Sequence, residues 1–534
     1  MKLKLVTAAC LALCSVGAFA ATVTPSCPAT PTADDLINKC AAEVTFYIGG
    51  ASAQSGALKT AVLTPGVLFD ATKPFAKVRD TALSISGSGS TTTALAAGKD
   101  GNTIAWVGYG AATLTGGAAG KRLHVIYNKA NGSFAGVNQL FVPKTTAAEN
   151  VTLQLTTLAQ QKSGLGKAVA CATSAVAADT VAASATSLGY STYECASEAA
   201  FSAGLGGDKQ KAMHLALADV RPSEATPGIY GGLIAKWKPA AFPAVITGMQ
   251  GFGVIVSPSL YTAMIAKEVA AGRLPSSCTT SETVGGATDV LTAACQPNLT
   301  TAAYTSLVTG NATTVDAFLG NGDTTSSLIL ARRTDTSGTQ AASNIFFANQ
   351  AATAAKAALR STDTAPAVLA GNPADPTLAN VVGNLSVFEK TGTGDVITAV
   401  SGATGYAIGV VSLDNGYTTT KATSALKGAL FVKVDGISPN FVNGALEAKQ
   451  RGGIISGYPF VYAMQALTSA KLADPYKALA TAVTTELQNP VANLTGIAYI
   501  GSTDATKNTP FLRTQAADPA GKVISTANYA PLSK

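Results

Sequence analysis

The sequence predicts an α/β protein of more than one domain, and three observations carry that expectation. Short apolar runs stand directly before turns that open helical patterns: residues 44–48 before Gly49, Gly50, Ala51 and Ser52, and residues 123–127 before Gly132 and Ser133. Strand, turn and helix repeated in this way imply parallel strands joined by crossover helices. A third apolar run, Leu328, Ile329 and Leu330, leads into Arg332 and Arg333 and turns through Ser337, Gly338 and Thr339 into a helical pattern over 341–358. The length of 534 residues also exceeds the roughly 250 to 300 that one hydrophobic core organises.

The chain opens on an export signal. Lys2 and Lys4 form a short basic region, residues 5–16 are apolar, and Ala18, Phe19 and Ala20 make a small-residue cleavage box, so the mature chain is expected to begin at Ala21. That places the protein in the periplasm or outside the cell. Losing Lys2 and Lys4 takes the formal charge from +7 to +5, and the remaining lysines are scattered, which argues against a nucleic-acid partner. No later apolar run reaches the roughly 18 to 20 residues that span a bilayer. Of the 8 cysteines, Cys10 and Cys14 fall in the signal; Cys27, Cys40, Cys171, Cys195, Cys278 and Cys295 remain. An even number in an exported chain suggests disulfides, and pairing of sequence neighbours would close three short loops, although sequence leaves the connectivity open. No C-x-x-C spacing occurs, so neither a metal nor a cofactor is expected.

Further elements follow in order. A helix is expected over 55–62, a surface loop over 86–93, loop or short helix over 172–187, and strands over 214–218, 244–246, 253–256 and 406–411. In sheets with parallel strands, ligands sit at the carboxyl ends, where helix N-termini converge. Ser52, Ser133, Asp219 and Arg333 would all stand there.

The segment from Arg332 to Thr339 has the chemistry of an oxyanion receptor. The first turn of a helix leaves N–H groups without internal partners and carries about half a positive charge. A guanidinium adds paired, charge-assisted hydrogen bonds, and Asp335 is placed to orient it. Ser or Thr before a helix is also an ordinary N-cap, and an arginine at a strand end an ordinary surface ion pair. The two histidines, His124 and His214, lie within apolar strand patterns and read as core residues. The sequence holds no Gly-x-Ser-x-Gly elbow, no His-Glu-x-x-His and no Asp/His cluster at metal-ligand spacing, so no enzyme is expected. The run from Gly116 to Arg122 imitates a phosphate loop, but Thr115 and Arg122 break the pattern and it reads as a turn.

Taken in order, these blocks resemble the periplasmic phosphate-binding proteins of ABC transporters, members of the type II periplasmic binding-protein superfamily. Gly49, Gly50, Ala51 and Ser52 resemble that family's first turn, with Ser in place of Thr, although Ala53 and Gln54 stand where an apolar residue and Pro usually follow. Gly132, Ser133, Phe134, Ala135, Gly136 and Val137 resemble its second turn. Asp219 falls where the family places a carboxylate that accepts a proton from phosphate, and Arg332 to Thr339 is similar to its Arg-Arg-x-Asp-x-Ser-Gly-Thr anion loop. The resemblance implies a two-domain, hinge-connected fold with the ligand in the interdomain cleft, and phosphate ligands Ser52, Ala53, Ser133, Asp219, Arg333, Ser337, Gly338 and Thr339. It implies one domain from 21–242 plus 411–534, with insertions near 64–120 and 141–211, and a second from 243–410, with an insertion near 271–298. The hinge is expected near 239–246 and 403–412. The function implied is capture of inorganic phosphate, or a related protonated oxyanion, by a monomer that delivers it to an ABC permease. Two other readings remain: a secreted or cell-surface interaction or adhesion protein on the same scaffold, with the insertions as its working surface, and a secreted phosphoesterase.

Overall fold

The computed structural model describes residues 27–40, 42–80, 82–86, 89–93, 100, 103–129, 132–141, 180–195, 213–222, 238–278, 292–348, 380–382, 384–390, 392–415, 426–446, 458–488 and 496–498. The expected signal segment 1–20 and Cys171 lie outside these residues.

The fold is mixed α/β, organised on one large twisted sheet. The strands along its main path are β1 (Val44–Gly50), β2 (Ala76–Asp80), β3 (Thr103–Tyr109), β4 (Arg122–Asn128), β5 (Ser191–Cys195), β6 (Leu215–Ala218), β7 (Ala244–Val256), β8 (Leu328–Arg333), β9 (Asn380–Val382), β10 (Leu385–Lys390), β11 (Tyr406–Ser412) and β12 (Val461–Thr468), and two short strands, Leu430–Phe431 and Ile497–Ala498, also pair with β7. They lie in the order β9-β10-β8-β11-β7-β12-β6-β1-β4-β3-β2-β5. The helices that matter for the site are α1 (Ser55–Leu63), α2 (Ser133–Phe141), α3 (Pro258–Ala270), α4 (Gly338–Ala348), α5 (Thr393–Ser401) and α6 (Tyr476–Gln488).

Two groups of parallel strands face each other along this sheet. β1 is parallel to β4 and to β6, and β8 is parallel to β10 and β11. The 13-residue strand β7 joins the groups, pairing antiparallel with β12 over Ala244 to Gly251 and with β11 over Phe252 to Val256. Ala218, the last residue of β6, is opposite Gln465, which is opposite Ile246 of β7; Ser412, the last residue of β11, is opposite Phe252. The carboxyl ends of both groups therefore point at the middle of β7 from opposite directions. β1, β4, β8 and β10 are each followed by a turn and a helix, so those helix N-termini meet there.

Helix starts follow local chemistry. Ser257 caps α3 by accepting from the Leu260 N–H, with Pro258 supplying a pre-set first-turn φ. Asp395 accepts from the Gly392 N–H at the start of α5, placing negative charge on the positive end of that helix. At α2 the packing requires glycine: a Cβ on Gly136 would stand 2.4 Å from the Gly50 nitrogen. The helix can thus lie directly on the end of β1.

Three expectations are corrected. Residues 244–246 and 253–256 are one strand, not two. Gly248, Gly251 and Gly253 look like breakers in sequence, but pairing on both edges keeps the strand extended, and Phe431 and Leu413 fill the space over Gly253. Residues expected as surface loop 86–93 contribute to a hairpin, Ala82–Ser86 against Gly89–Thr93, in keeping with the strand preference of Thr91, Thr92 and Thr93. The helix expected over 341–358 begins at Gly338, and its described part ends at Ala348. Segments read as insertions also supply sheet, since β2 and β3 come from 64–120 and β5 from 141–211.

The core is layered on the two faces of this sheet. One cluster, with Phe46, Ile48, Leu58, Val62, Trp106, Val125, Leu479 and Val483, packs α1 and α6 onto the β1 side. A larger one runs from Phe134 and Val137 through Phe252, Ile255, Leu330 and Val387 to the far end. Disulfides join Cys27 to Cys40 and Cys278 to Cys295. Loops of that size contribute about 3 kcal/mol each by restricting the unfolded chain. Neither histidine stands at the carboxyl ends of the strands. His124 is buried in β4, and His214 stacks on Tyr476 at 4.0 Å and accepts from the Tyr47 N–H through Nδ1. Burial holds both below the usual range, His124 at about 3 and His214 at about 4. No described helix is long and apolar enough to cross a membrane.

Candidate functional site

The turns after β4, β6 and β8 come together. Ser133 opens α2 and is fully buried; Asp219 follows β6 and is 2% exposed. The Ser133 hydroxyl donates to Asp219 Oδ2 at 3.2 Å and accepts from the Asp219 N–H at 3.3 Å. Gly338 closes against this pair from the other strand group. A Cβ at that position would stand 2.3 Å from Ser133 Oγ and 2.9 Å from Asp219 Oδ2, so glycine alone lets the start of α4 approach the carboxylate. A main-chain hydrogen bond from Phe134 N–H to Thr336 O, 3.2 Å, ties the two turns. Gly132 has φ +76, and a Cβ there would meet the Thr336 carbonyl.

Ser337 acts as both cap and candidate ligand. Its Oγ accepts from the Gln340 N–H at 3.4 Å, which leaves the hydroxyl proton for another acceptor. Thr339, at 1% exposure, has a buried hydroxyl with no hydrogen-bond partner, and Asp219 Oδ1 is in the same condition. Buried polar atoms without partners are costly, by about 1 to 3 kcal/mol each. Both lie at the start of one helix, α4, where the first-turn N–H groups also lack partners within the helix.

Arg333 lies 3% exposed at the end of β8. Its main-chain N–H donates to Gln340 Oε1 at 3.0 Å, and its Nη1 donates to Thr393 Oγ1 at 2.8 Å. Burial pulls the guanidinium down to about 10, while Asp219 and Asp395 act in the opposite sense, so it stays charged at neutral pH. Asp335, expected to orient Arg333, makes its ion pair with the neighbouring Arg332. Arg332 also donates through Nε to the Arg333 carbonyl at 3.1 Å. Asp335 therefore braces the loop through the adjacent residue: successive side chains of a strand point to opposite faces, and this carboxylate lies on the Arg332 side.

Asp219 has the most perturbed environment of the group. Burial pushes its carboxyl up to about 7; the Ser133 hydrogen bond and the Arg333 charge oppose that, and Asp414 adds to it. Asp414 follows β11 and is itself raised to about 6 by burial, against hydrogen bonds from Ser412 and main-chain N–H groups. Sequence reading missed it because nothing marks that turn; the meeting of β11 with β7 brings it near Asp219.

Ser52 and Ala53 stand beside this group by register. Gly49 of β1 is opposite Ala216 of β6 and Asn128 of β4, so the turn after β1 lies between the other two. That turn is fastened by Ala51 N–H to Leu217 O at 2.8 Å and by the Tyr127 hydroxyl to Ala51 O at 2.6 Å. Ala53 is buried and Ser52 half-buried in the single turn Ser52–Gln54. Tyr127 and Gln54 were not read from sequence, since each acts through a tertiary contact to main chain. Among the described residues no group of His, Cys, Asp and Glu has metal-binding geometry.

No protein-family model matches the chain, and no curated protein matches it in sequence. Similar solved structures include an ABC-type phosphate transport receptor from Vibrio cholerae, with 11% identity over 53% of this chain and 78% of that one, at a TM-score of 0.27. A phosphate-binding protein from Stenotrophomonas maltophilia has 15% identity over 55% and 74%, at 0.27. A high-affinity periplasmic phosphate-binding protein called PfluDING, solved with phosphate, has 14% identity over 62% and 80%, at 0.30. Superpositions at this level transfer no residue roles, which rest on the contacts described above.

Proposed function

We propose that this protein binds inorganic phosphate, or a closely related protonated oxyanion, at the junction of Ser52, Ser133, Asp219, Arg333 and the Ser337 to Thr339 turn, and hands it to an ABC permease from the periplasm. The observation that carries this reading is the buried carboxylate of Asp219, one oxygen without a partner, held by Ser133 against the first turn of a helix and facing the Arg333 charge.

The chemistry follows from charge and proton count. Arg333 and the α4 N-terminus supply positive potential, and hydroxyls of Ser52, Ser133, Ser337 and Thr339 supply donors. Asp219 supplies the opposite requirement, because an ionised carboxylate tolerates only a ligand that brings its own proton. Phosphate near neutral pH carries at least one; sulfate carries none and would leave like charges face to face. An uncompensated buried charge costs about 3 to 5 kcal/mol, which corresponds to roughly a thousandfold preference. The Ser133 hydroxyl now spent on Asp219 becomes available to the anion when the ligand's own proton takes its place.

Calorimetric titration of the mature protein, from Ala21 onward, with phosphate and with sulfate tests this directly. Micromolar or tighter phosphate binding is expected, with sulfate weaker by about a thousandfold. Absence of heat with phosphate at micromolar protein would overturn the reading. Equal affinity for the two anions would remove the role of Asp219 while leaving an oxyanion site.

A further inference from the structure

The Ala218–Asp219 peptide is held from both of its ends by side chains of other turns. Its N–H donates to Ser133 Oγ. Its carbonyl, that of Ala218, accepts from Gln54 Nε2 at 2.7 Å. Gln54 is fully buried and ends the same short turn that carries Ser52 and Ala53. Its other amide atom, Oε1, is 3.5 Å from the Thr247 hydroxyl, a long hydrogen bond. Thr247 is also fully buried, and it sits where the β7–β12 register slips between Ile246, opposite Gln465, and Gly248, opposite Met464.

We infer that Gln54 is a positioning residue for the oxyanion site: it fixes the plane of the peptide that bears Asp219, and through Thr247 it ties that peptide to the strand shared by both strand groups. This assignment rests on the phosphate reading above and adds to it a residue that touches no ligand. The geometry explains why an amide stands here. A peptide carbonyl buried at a strand end needs a donor, the Thr247 hydroxyl needs an acceptor, and a glutamine amide offers both on one planar group. A methionine of similar length offers neither. With the Gln54 amide gone, the peptide keeps only the β12 pairing and the Ser133 contact, and the carboxylate is held less closely in its direction toward the ligand. A proton acceptor works by direction as well as distance, so the discrimination between phosphate and sulfate should suffer before anion binding as such.

The test compares phosphate and sulfate affinities by calorimetry in the native protein and in Gln54→Met, each also in an Asp219→Asn background. Gln54→Met is expected to lower the phosphate-to-sulfate affinity ratio by about tenfold, mostly through phosphate, as loss of one buried hydrogen bond predicts. In the Asp219→Asn background the same substitution should leave the ratio unchanged, because no carboxylate remains to be aimed. A general packing role would weaken both anions alike and act equally in both backgrounds; that outcome overturns the assignment. So does a ratio within about twofold of native in Gln54→Met, and in that case the phosphate reading stands. If the native protein binds neither anion, both fall together. Should Gln54→Met fail to fold, Thr247→Val is read in the same way, with a loss of about threefold expected for its weaker bond and no change overturning the inference.

Discussion

Two carboxylates, Asp100 and Asp219, are held in opposite ways, and the contrast separates a charge neutralised within the chain from one raised by burial. Asp100, beside β2, is bracketed by Lys59, at 2.6 Å from Oδ2, and by Lys77 on Oδ1. Burial pushes that carboxyl up, but the two ammonium groups more than reverse it and the net shift is downward. Asp219 is buried more deeply, keeps one oxygen without a partner and titrates at about 7. In the first arrangement each carboxylate oxygen faces an ammonium group. The second leaves Oδ1 without a partner, and burial makes its ionised form costly.

Three substitutions sharpen or break this contrast. The largest effect is expected at the point where the two strand groups touch. Gly338→Ala places a methyl group at 2.3 Å from Ser133 Oγ, so either the α4 turn or the Ser133 turn must move; phosphate affinity should fall by about a hundredfold or more, since near-attack distances of this kind tolerate little displacement. Retention of native affinity would mean that this contact is not part of the anion site.

The next two apply the same chemical change to the two carboxylates. Asp100→Asn removes the negative charge that faces Lys77, 4% exposed, and Lys59, and should destabilise the protein by about 3 kcal/mol at pH 7. For Asp100 the folded pKa is depressed, so its contribution is present above the unfolded carboxylate value and is lost as pH falls below it. For Asp219 the sign is reversed: the folded pKa is raised, the native state holds the extra proton, and stability declines as pH rises from about 4 to about 7. Asp219→Asn should therefore stabilise the ligand-free protein at pH 8 and have little effect near pH 4. Thermal unfolding of both variants at the two pH values decides the matter. Equal signs at pH 8 would end the distinction drawn between these residues.

Much of the candidate site was legible as strand-end turns because its parts are local. Ser52, Ser133 and Arg333 each end or follow an apolar run, and the Ser-Gly-Thr turn announces a helix start by its cap chemistry. Asp219 was legible for the same reason, as a carboxylate at the end of a short apolar strand. Gln54, Thr247 and Asp414 were not, because each matters through a partner far away in sequence: 164 residues from Gln54 to Ala218, and 193 from Gln54 to Thr247. The pairing of Asp335 was also beyond local reading. Arg332 and Arg333 are adjacent in sequence, and the strand's alternation decides which of them that carboxylate meets. In the fold, β7 was split because glycine is a poor strand former in isolation, while its neighbours on both edges hold it extended.

The sequence by itself determined the α/β alternation, most of the strand ends on which polar residues stand, and the identity of the groups placed there. Those are set by hydrophobic period, by turn residues and by capping, all of which act within a few residues. The tertiary structure decided that the two sets of strand ends point at each other across β7, that Gly338 reaches Asp219, and that Gln54 holds the peptide on which Asp219 rides. Those depend on strand register between segments hundreds of residues apart, and register is fixed by the packing of whole faces, which no local signal encodes.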